Sequence, residues 1–332
     1  MIFEFDRDQR LWRDTVRGVV AKQCPPRLIR SIVDAAADPA PLWQTYVELG
    51  WTELTDPDVA VELAIVLEEL GRCVDPTPYL ATMTQFAPLA PGFGHLERPG
   101  AAVLDGVSAT RDGSGWLLHG TGRHVLDADR AEWLAVATEA GVFLVPAAAA
   151  IITRTPVLDP GLHIAEASFP GVRVGNDDRA AVDTRRARDL SLTGIALTTV
   201  GACQRVLELV LEHVGGRKQF DTVIGSFQAV QHKAADMHVA IERARALSYF
   251  AALAIAADDP RRRLAAAMAK AAAGECQALV FRHGLQLFGA MGFTWENDLQ
   301  FALKRAQAGE LMLGGADEHR ALIAEEYRAA HL

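Results

Sequence analysis

The order of three kinds of sequence pattern along the chain most limits its possible folds. Residues 8–84 show helical spacing of apolar side chains, residues 89–183 contain short apolar runs broken by glycines, and helical spacing returns from residue 184. Helices, then antiparallel strands, then helices is the order of an α+β protein, whereas a doubly wound sheet alternates strands and helices. We predict a helical domain at 1–88, a small β domain at 89–183 and a helical bundle at 184–332.

Glycines mark several of the predicted boundaries. Gly50 and Gly71 stand where early helices would end in a left-handed residue, and Asp112-Gly113 is typical of a hairpin turn. Gly215-Gly216 follows a long alanine-containing helical pattern, and Gly314-Gly315 indicates a late turn. These positions place helix ends and turns inside the three predicted domains.

Composition and charge argue against several classes of partner. Hydrophobic residues make up 50% of the 332 residues, which is enough to bury a substantial core. The formal net charge of −9 does not favour nucleic acid or an anionic membrane surface. The longest apolar stretch, residues 142–152, is interrupted by Pro146 and is too short to span a bilayer, and the acidic N-terminus is unlike a signal peptide. We expect a cytoplasmic protein.

The cysteines and histidines do not show metal-ligand spacing. The four cysteines are widely separated and form no C-x-x-C motif: Cys24, Cys73, Cys203 and Cys276. This pattern argues against a zinc site or a disulfide framework and fits a reducing compartment. The ten histidines are dispersed, so we expect no metal site.

Residues 217–231 combine a cation, aromatic rings and amides directly after a glycine break. A guanidinium such as that of Arg217 can bind a diphosphate through two parallel hydrogen bonds. Phe220, Phe227 and Gln228 can stack on an adenine ring or hydrogen-bond to it. Such residues are more often ordinary surface and capping residues, so this segment alone is weak evidence for an ADP-like ligand.

A second segment strengthens that interpretation. In the sequence LQLFGAMGFTWEN, which starts at Leu285, Gln286, Gly289 and Gly292 lie at a predicted helix end. Glycine lets the backbone approach a ligand closely, although stopping a helix is a common role for it. No G-x-G-x-x-G motif follows a predicted strand, so a Rossmann nucleotide site is not supported.

The two segments together resemble the acyl-CoA dehydrogenase family. Its C-terminal bundle typically carries an R-x-x-F element, then F/H-Q, and later Q-x-x-G-G-x-G-F. The resemblance covers nearly the whole chain, because residues 49–51 and 66–72 are similar to the N-terminal helical domain and residues 116–133 to the middle β domain. It implies an N-terminal helical domain, a β-barrel-like middle domain and a C-terminal four-helix bundle.

The resemblance also implies FAD as cofactor, with both segments reaching across an interface to the FAD of a neighbouring subunit. The residues expected to contact the diphosphate and adenine are Arg217, Gln219, Phe220, Phe227 and Gln228. Gln286, Gly289 and Ala290 correspond to the second FAD contact of the family. Ala290 replaces the usual second glycine, which adds a methyl group at that contact.

The family's catalytic base is missing. Removing the α-proton of an acyl thioester, as hydride leaves the β-carbon for flavin, needs a titratable group, and an aliphatic side chain cannot take a proton. Aligned without a gap from Gly292, the family's glutamate falls at Leu313, while Gly314 and Arg320 are retained. Some members place the base on the first helix of the bundle, but residues 190–199 contain no carboxylate here. We therefore expect no catalytic residue in this chain.

Four nearby carboxylates are the alternatives for a relocated base. They are Asp189, Glu310, Asp317 and Glu318. Glu310 shares roughly the helix face of Leu313, but a late-helix glutamate is more often exposed or paired, here with Arg305 or Lys304.

The middle domain departs from the family as well. The usual T-E-P-x-x-G-S-D loop is unrecognisable between Met83 and Pro99, and His124–Asp127 stands in place of the usual W-I-T-N element. Both elements wrap the flavin ring in the family. Their loss implies a chain that serves the active site of a partner subunit.

We therefore expect the non-catalytic subunit of a heteromeric enzyme whose catalytic acyl-CoA dehydrogenase subunit supplies the glutamate and binds most of the acyl-CoA. Residues 301–320 resemble the non-catalytic subunits of actinobacterial α2β2 acyl-CoA dehydrogenases, which commonly act on CoA thioesters from steroid degradation. Two alternatives remain open. One is a self-sufficient homomeric enzyme with a relocated base such as Glu310, and the other is a flavin-free scaffolding protein that kept the fold.

Overall fold

The computed structural model describes residues 4–93 and 96–329. These residues form two compact units. One unit contains the described residues up to Ser31, then Ala60–Asp75, then those from Leu192 onward; the other contains Ile32–Val59 and Pro76–Ser191. The three domain boundaries drawn from the sequence stay a prediction, since the residues of 1–88 are divided between both units.

Helices precede and follow the strand-rich segment, as the sequence predicts. The helices are α1 (Arg7–Gln23), α2 (Pro26–Ala35), α3 (Ala40–Glu48), α4 (Ala60–Cys73), α5 (Tyr79–Ala81), α6 (Thr184–Gly216), α7 (Gln228–Ala256), α8 (Arg262–Phe288), α9 (Leu299–Leu311) and α10 (Ala316–Ala329). The strands are β1 (Gly100–Val103), β2 (Val107–Asp112), β3 (Gly115–Leu126), β4 (Trp133–Thr138), β5 (Gly141–Pro146), β6 (Ile151–Thr155), β7 (Ile164–Val174), β8 (Arg179–Ala180), β9 (Lys218–Gln219) and β10 (Thr222–Val223).

Long helices rich in small residues form the first unit. α7 and α10 pack against α8, whose buried face is largely alanine. Two stretches, Thr184–Gly216 and Arg262–Phe293, are long and apolar enough to cross a membrane by length and composition. However, 72% and 67% of their apolar windows are buried inside the protein, as is usual for core helices of a bundle.

Two glycines allow α4 and α6 to cross at very short range. A Cβ atom on Gly71 would lie 2.1 Å from the carbonyl oxygen of Thr198, and one on Gly201 would lie 2.0 Å from the carbonyl oxygen of Glu68. The prediction that Gly71 ends a helix in a left-handed conformation is therefore wrong. Gly71 lies inside α4 because the crossing excludes a side chain, and Val74 takes the positive φ, 59°.

The glycine crossing predicts a large difference between two alanine substitutions in α6. Gly201→Ala should lower the free energy of unfolding by about 2 kcal/mol, because overpacking forces two helix backbones apart. This loss should exceed the ~1 kcal/mol that alanine gains over glycine in helix propensity. Gly215→Ala is the matched control, since a Cβ there meets no atom within 4 Å. Urea unfolding of both variants tests this, and equal midpoints would contradict it.

Two four-stranded sheets build the core of the second unit. Their strand orders are β1-β4-β5-β8 and β2-β3-β7-β6. The Asp112-Gly113 turn is confirmed, since β2 and β3 pair antiparallel with Asp112 opposite Gly115. One pair departs from the expected antiparallel arrangement, because β1 runs parallel to β4.

The predicted boundaries in the second half of the chain are confirmed. α6 ends at Gly216, and Gly314-Gly315 lies between α9 and α10. Gly314 has a φ of 96°, which a side chain would strain, so glycine suits this turn. The turn begins directly after Leu313, the residue at the position predicted for the family's base.

Candidate functional site

The first predicted ligand segment begins where α6 ends and closes into a hairpin. The backbone N–H of Arg217 donates to the carbonyl of His213 at 2.9 Å. β9 and β10 then pair antiparallel, and Phe220 and Asp221 between them have φ angles of 54° and 61°. The N–H of Ile224 donates back to the Arg217 carbonyl at 2.8 Å. The hairpin therefore holds Phe220 at its tip, in a conformation that non-glycine residues adopt only at some cost.

The side chains of this segment are available to an external ligand. All five predicted contact residues are exposed: Arg217, Gln219, Phe220, Phe227 and Gln228. Phe220 is 88% exposed, and its ring lies 6.2 Å from that of Phe227 in an edge-to-face arrangement. The Gln219 amide donates to the carbonyl of its neighbour Lys218 at 2.8 Å. Within residues 4–93 and 96–329, no carboxylate pairs with the Arg217 guanidinium.

The second segment follows the end of α8. Gly289 has φ 62° and ψ −143°, a combination that side chains strongly disfavour. A Cβ on Gly289 would meet no atom within 4 Å, so the space beside this backbone is open. Gln286, Gly289 and Ala290 are all exposed. Ala290 does not have a positive φ, so its methyl group adds no backbone strain.

A stacked ring pair brings the two segments together. The imidazole of His213 lies 4.4 Å from the ring of Phe288, with an interplanar angle of 15°. The backbone carbonyl of His213 also accepts the hydrogen bond from the backbone N–H of Arg217, and Phe288 directly precedes Gly289. Burial and the Arg217 charge lower the pKa of His213, which favours the neutral ring in this stack. The ends of α6 and α8 are thereby fixed side by side.

The joined segments have the donor set that an adenine dinucleotide needs. An unpaired guanidinium can bind a diphosphate, exposed phenyl rings can stack on a base, and an open glycine backbone can approach either group. The residues present therefore fit FAD at this surface. In that arrangement Arg217 would bind the diphosphate, and Phe220 and Phe227 would contact the adenine.

The turn between α9 and α10 contains the position predicted for the family's base. Leu313 is half-buried and has a φ of 55°. Its carbonyl accepts a hydrogen bond from Nε2 of His319 at 3.1 Å. The aliphatic side chain at this position provides neither a proton acceptor nor a charge.

A buried lysine and a glutamate hold this turn in place. Nζ of Lys270, a fully buried side chain, donates to the carbonyls of Glu310 at 2.9 Å and Gly314 at 2.6 Å. Oε1 of Glu310 accepts from the N–H of Ala316 at 2.8 Å, so Glu310 caps α10. A Cβ on Gly274 would lie only 1.9 Å from Oε2 of Glu310, which shows how closely the carboxylate packs on α8. Burial lowers the pKa of Lys270 to about 8.

Comparisons with known proteins identify the family. The family model for the acyl-CoA dehydrogenase C-terminal domain matches residues 190–327. The acyl-CoA dehydrogenase IpdE2 of Mycobacterium tuberculosis is 30% identical over 325 residues, which covers 92% of this chain and 93% of the relative. The chain belongs to the acyl-CoA dehydrogenase family. Membership implies FAD as the cofactor and confirms the predicted family.

Several solved structures share the fold of this chain. The ChsE4-ChsE5 complex from Mycobacterium tuberculosis contains a chain with a TM-score of 0.90 and 24% identity, with 99% of each chain covered. Butyryl-CoA dehydrogenase from Megasphaera elsdenii gives a TM-score of 0.88 at 18% identity, covering 98% of this chain and 100% of the other. The Tcur3481-Tcur3483 steroid ACAD gives 0.84 at 22% identity, with 98% of each chain covered. The predicted acyl-CoA dehydrogenase fold, of α+β class, is confirmed.

The alternative carboxylates of this acyl-CoA dehydrogenase are engaged elsewhere. Glu310 caps α10, and the expected pairing with Arg305 or Lys304 is wrong, because those cations donate to the carbonyl of Asp75 at 2.6 Å and to Gln300 at 2.8 Å. The other three candidate carboxylates are buried, paired with an arginine or hydrogen-bonded to the backbone. Asp189 is only 4% exposed, Asp317 pairs with Arg320 at 2.5 Å, and Glu318 accepts weakly from the Gly315 N–H at 3.4 Å.

The segment in place of the flavin-wrapping W-I-T-N element is closed by contacts within the chain. Leu126 and Asp127 are 3% and 2% exposed, and Asp127 has a φ of 58°. Arg130 pairs with Asp127 and donates to the carbonyl of Pro76 at 2.6 Å. Burial raises the pKa of Asp127, although the Arg130 charge opposes this. In the other departing stretch, Met83–Pro99, Gly94 and His95 lie outside the described residues.

Sequence reasoning missed the residues that position the two predicted ligand segments and the turn at Leu313. His213 and Phe288 connect the two ligand segments, and Lys270 fixes the backbone of the turn at Leu313. A lysine within an alanine-rich helix pattern was the available signal for Lys270, because a cation on an apolar face needs a partner. Across the two described ranges, no group of three or more His, Cys, Asp or Glu side chains could hold a metal ion.

Proposed function

We propose that this chain is the non-catalytic, FAD-binding subunit of a heteromeric acyl-CoA dehydrogenase that oxidises a bulky, steroid-derived acyl-CoA. One observation carries the proposal: a single unit combines exposed side chains suited to FAD with an aliphatic side chain at the position predicted for the base. Arg217 and Phe220 lie exposed beside an open glycine turn, and the position predicted from the sequence for the family's base is Leu313. The chain thus keeps residues that bind cofactor and lacks a residue that removes a proton.

Exposed apolar side chains along both segments support a partner subunit. Phe220 is 88% exposed, Phe293 76%, Met291 53% and Trp295 50%. Large exposed apolar side chains that accumulate in one region of a protein mark interaction surfaces. A partner that brings FAD against Arg217 would cover these side chains at the same time.

The names of the relatives favour a heteromer. Two structural neighbours are described as pairs of different proteins, the ChsE4-ChsE5 complex and the Tcur3481-Tcur3483 steroid ACAD. By that likeness we assign this chain a catalytic acyl-CoA dehydrogenase partner in an α2β2 assembly. The steroid-derived substrate class and a cytoplasmic location belong to the same proposal.

The reaction divides naturally between two such subunits. FAD held by the exposed residues of both segments would supply the acceptor for the hydride from the β-carbon of the acyl thioester. A carboxylate of the partner would remove the α-proton, since Leu313 cannot. This chain would contribute binding: Arg217 neutralises the diphosphate, Phe220 and Phe227 cover the adenine, and the Gly289 turn allows close approach.

The test is to co-express this chain with any acyl-CoA dehydrogenase that is encoded beside it and to purify the pair through a tag on this chain. FAD per pair is measured by absorbance, and dehydrogenation of a steroid acyl-CoA is followed with an electron acceptor. One FAD per pair, with no turnover by this chain alone, supports the proposal. Turnover or bound flavin on this chain alone would contradict it.

Two further readouts separate the alternatives. If the chain is a self-sufficient enzyme that uses Glu310 as its base, the variant Glu310→Gln should lose turnover while retaining FAD. If Glu310 only caps α10, the variant should retain turnover and lose stability, because Glu310 accepts from the Ala316 N–H. A flavin-free scaffold would show no flavin absorbance even after co-expression with the partner.

A further inference from the structure

The four cysteines, scattered in sequence, meet as two pairs in the fold. The neighbouring Cys24 thiol, together with burial, raises the pKa of the Cys73 thiol, and Sγ of Cys24 donates to the backbone carbonyl of Cys73. The neighbouring Cys276 thiol and burial likewise raise the pKa of the Cys203 thiol. All four thiols are free in the structure. Spacing along the sequence argued against disulfides, but it could not show which thiols the helices bring into contact.

The two pairs differ in access to solvent. Cys24 and Cys73 both line a cavity of about 220 Å³ whose wall also contains Arg72 and Arg205. Cys73 is partly exposed. Cys203 and Cys276 are 0% and 1% exposed in the helical core and do not line this cavity. A small oxidant can therefore reach the first pair by a path that the second pair lacks.

The backbone around the first pair also has more freedom. Cys24 caps α1 with φ −119° and ψ 55°, and Cys73 is the last residue of α4, directly before Val74 with its positive φ. Sγ of Cys24 lies 3.9 Å from the carbonyl oxygen of Cys73. Helix ends can shift to bring two sulfurs within bonding distance, whereas Cys203 and Cys276 sit in the middle of α6 and α8.

We propose that Cys24 and Cys73 are a site of reversible oxidation, in which a peroxide that enters the cavity converts the two thiols into a disulfide between α1 and α4. One thiol attacks a peroxide oxygen, the O–O bond breaks and water leaves, which gives a sulfenic acid. The second thiol then displaces the hydroxyl as a second water. The two sulfurs together lose two electrons and two protons, and hydrogen peroxide is reduced to two waters. The inference stands apart from the proposed function.

The disulfide would join two helices that the chain places far apart in sequence. α1 and α4 pack against each other in the same unit, and α4 also makes the glycine crossing with α6. Such a bond constrains the unfolded chain over the loop between the two cysteines. Oxidation should therefore raise the thermal midpoint of the full chain, and a reductant should restore the original value.

The test treats the purified full chain with hydrogen peroxide and maps its peptides without reduction. We expect a link between the peptides that contain Cys24 and Cys73, with a mass loss of about 2 Da for the two hydrogens, reversed by dithiothreitol. Thiols titrated after unfolding should fall from four to two. Cys73→Ser should abolish the link, and Cys203→Ala should leave it intact.

Peptide mapping of the unsubstituted chain decides the question even if a variant folds poorly. An absent link, a link that joins Cys203 to Cys276 as readily, or oxidation of Cys73 to sulfonic acid alone would each overturn the proposal.

Discussion

In the complex with its partner, replacing Arg217 with alanine is expected to weaken FAD binding by roughly 10- to 100-fold. Hydrogen bonds from a charged group contribute about 1.5–3 kcal/mol each, and no other described residue pairs with this guanidinium. The substitution should cost little folding stability, because Arg217 is exposed. Titration of the FAD-depleted complex with FAD, followed by flavin fluorescence, measures the change.

The hairpin provides its own matched control for this prediction. Lys218→Ala removes the same charge one residue away, from a side chain that is also exposed, and should leave FAD affinity within about 2-fold, since screened surface charges interact weakly. Arg217→Lys keeps the charge but loses the planar fork, so its affinity should be intermediate. Equal losses in Lys218→Ala and Arg217→Ala would mean that general charge, and not a specific contact, attracts the cofactor.

Local sequence signals were sufficient for element order and for many boundaries. Gly215-Gly216, Asp112-Gly113 and Gly314-Gly315 each mark a helix end or a turn in the structure. Turn and cap preferences act through a few neighbouring residues, so they can be recognised without knowledge of distant contacts. The candidate FAD residues were likewise found because each segment carries a contiguous motif.

Features that depend on distant contacts could not be predicted. Gly71 was taken for a helix end, because nothing local distinguishes a terminating glycine from one that a crossing helix requires. The stack of His213 on Phe288 joins residues far apart in sequence, as do the two thiol pairs. Glu310 was expected to be exposed or paired with Arg305 or Lys304, yet its carboxylate caps the next helix. In each case tertiary packing decided the role.

Replacing Lys270 with methionine should lower the free energy of unfolding by about 3 kcal/mol at pH 7, because removing one member of a buried polar cluster leaves the others without partners. The variant keeps the approximate shape of the side chain but leaves the carbonyls of Glu310 and Gly314 without their donor. Relief from burying the ammonium group offsets only part of this loss. Urea unfolding measures the effect, and Lys22→Met on the exposed face of α1 is the control for loss of charge.

The difference in the free energy of unfolding between the unsubstituted chain and Lys270→Met should depend on pH. This dependence tests whether burial controls the protonation of Lys270. The pKa of Lys270 is lowered to about 8 from 10.5, so between these values the unfolded chain binds the proton more fully than the folded chain does. The folded protein therefore gains stability relative to Lys270→Met as pH rises above 8, by at most about 1.4 kcal/mol per pH unit. Below pH 8 both states hold the proton and the difference should be constant. A difference that stays flat from pH 7 to pH 10 would show that burial does not control this ammonium group, and that the turn around Leu313 is held by packing alone.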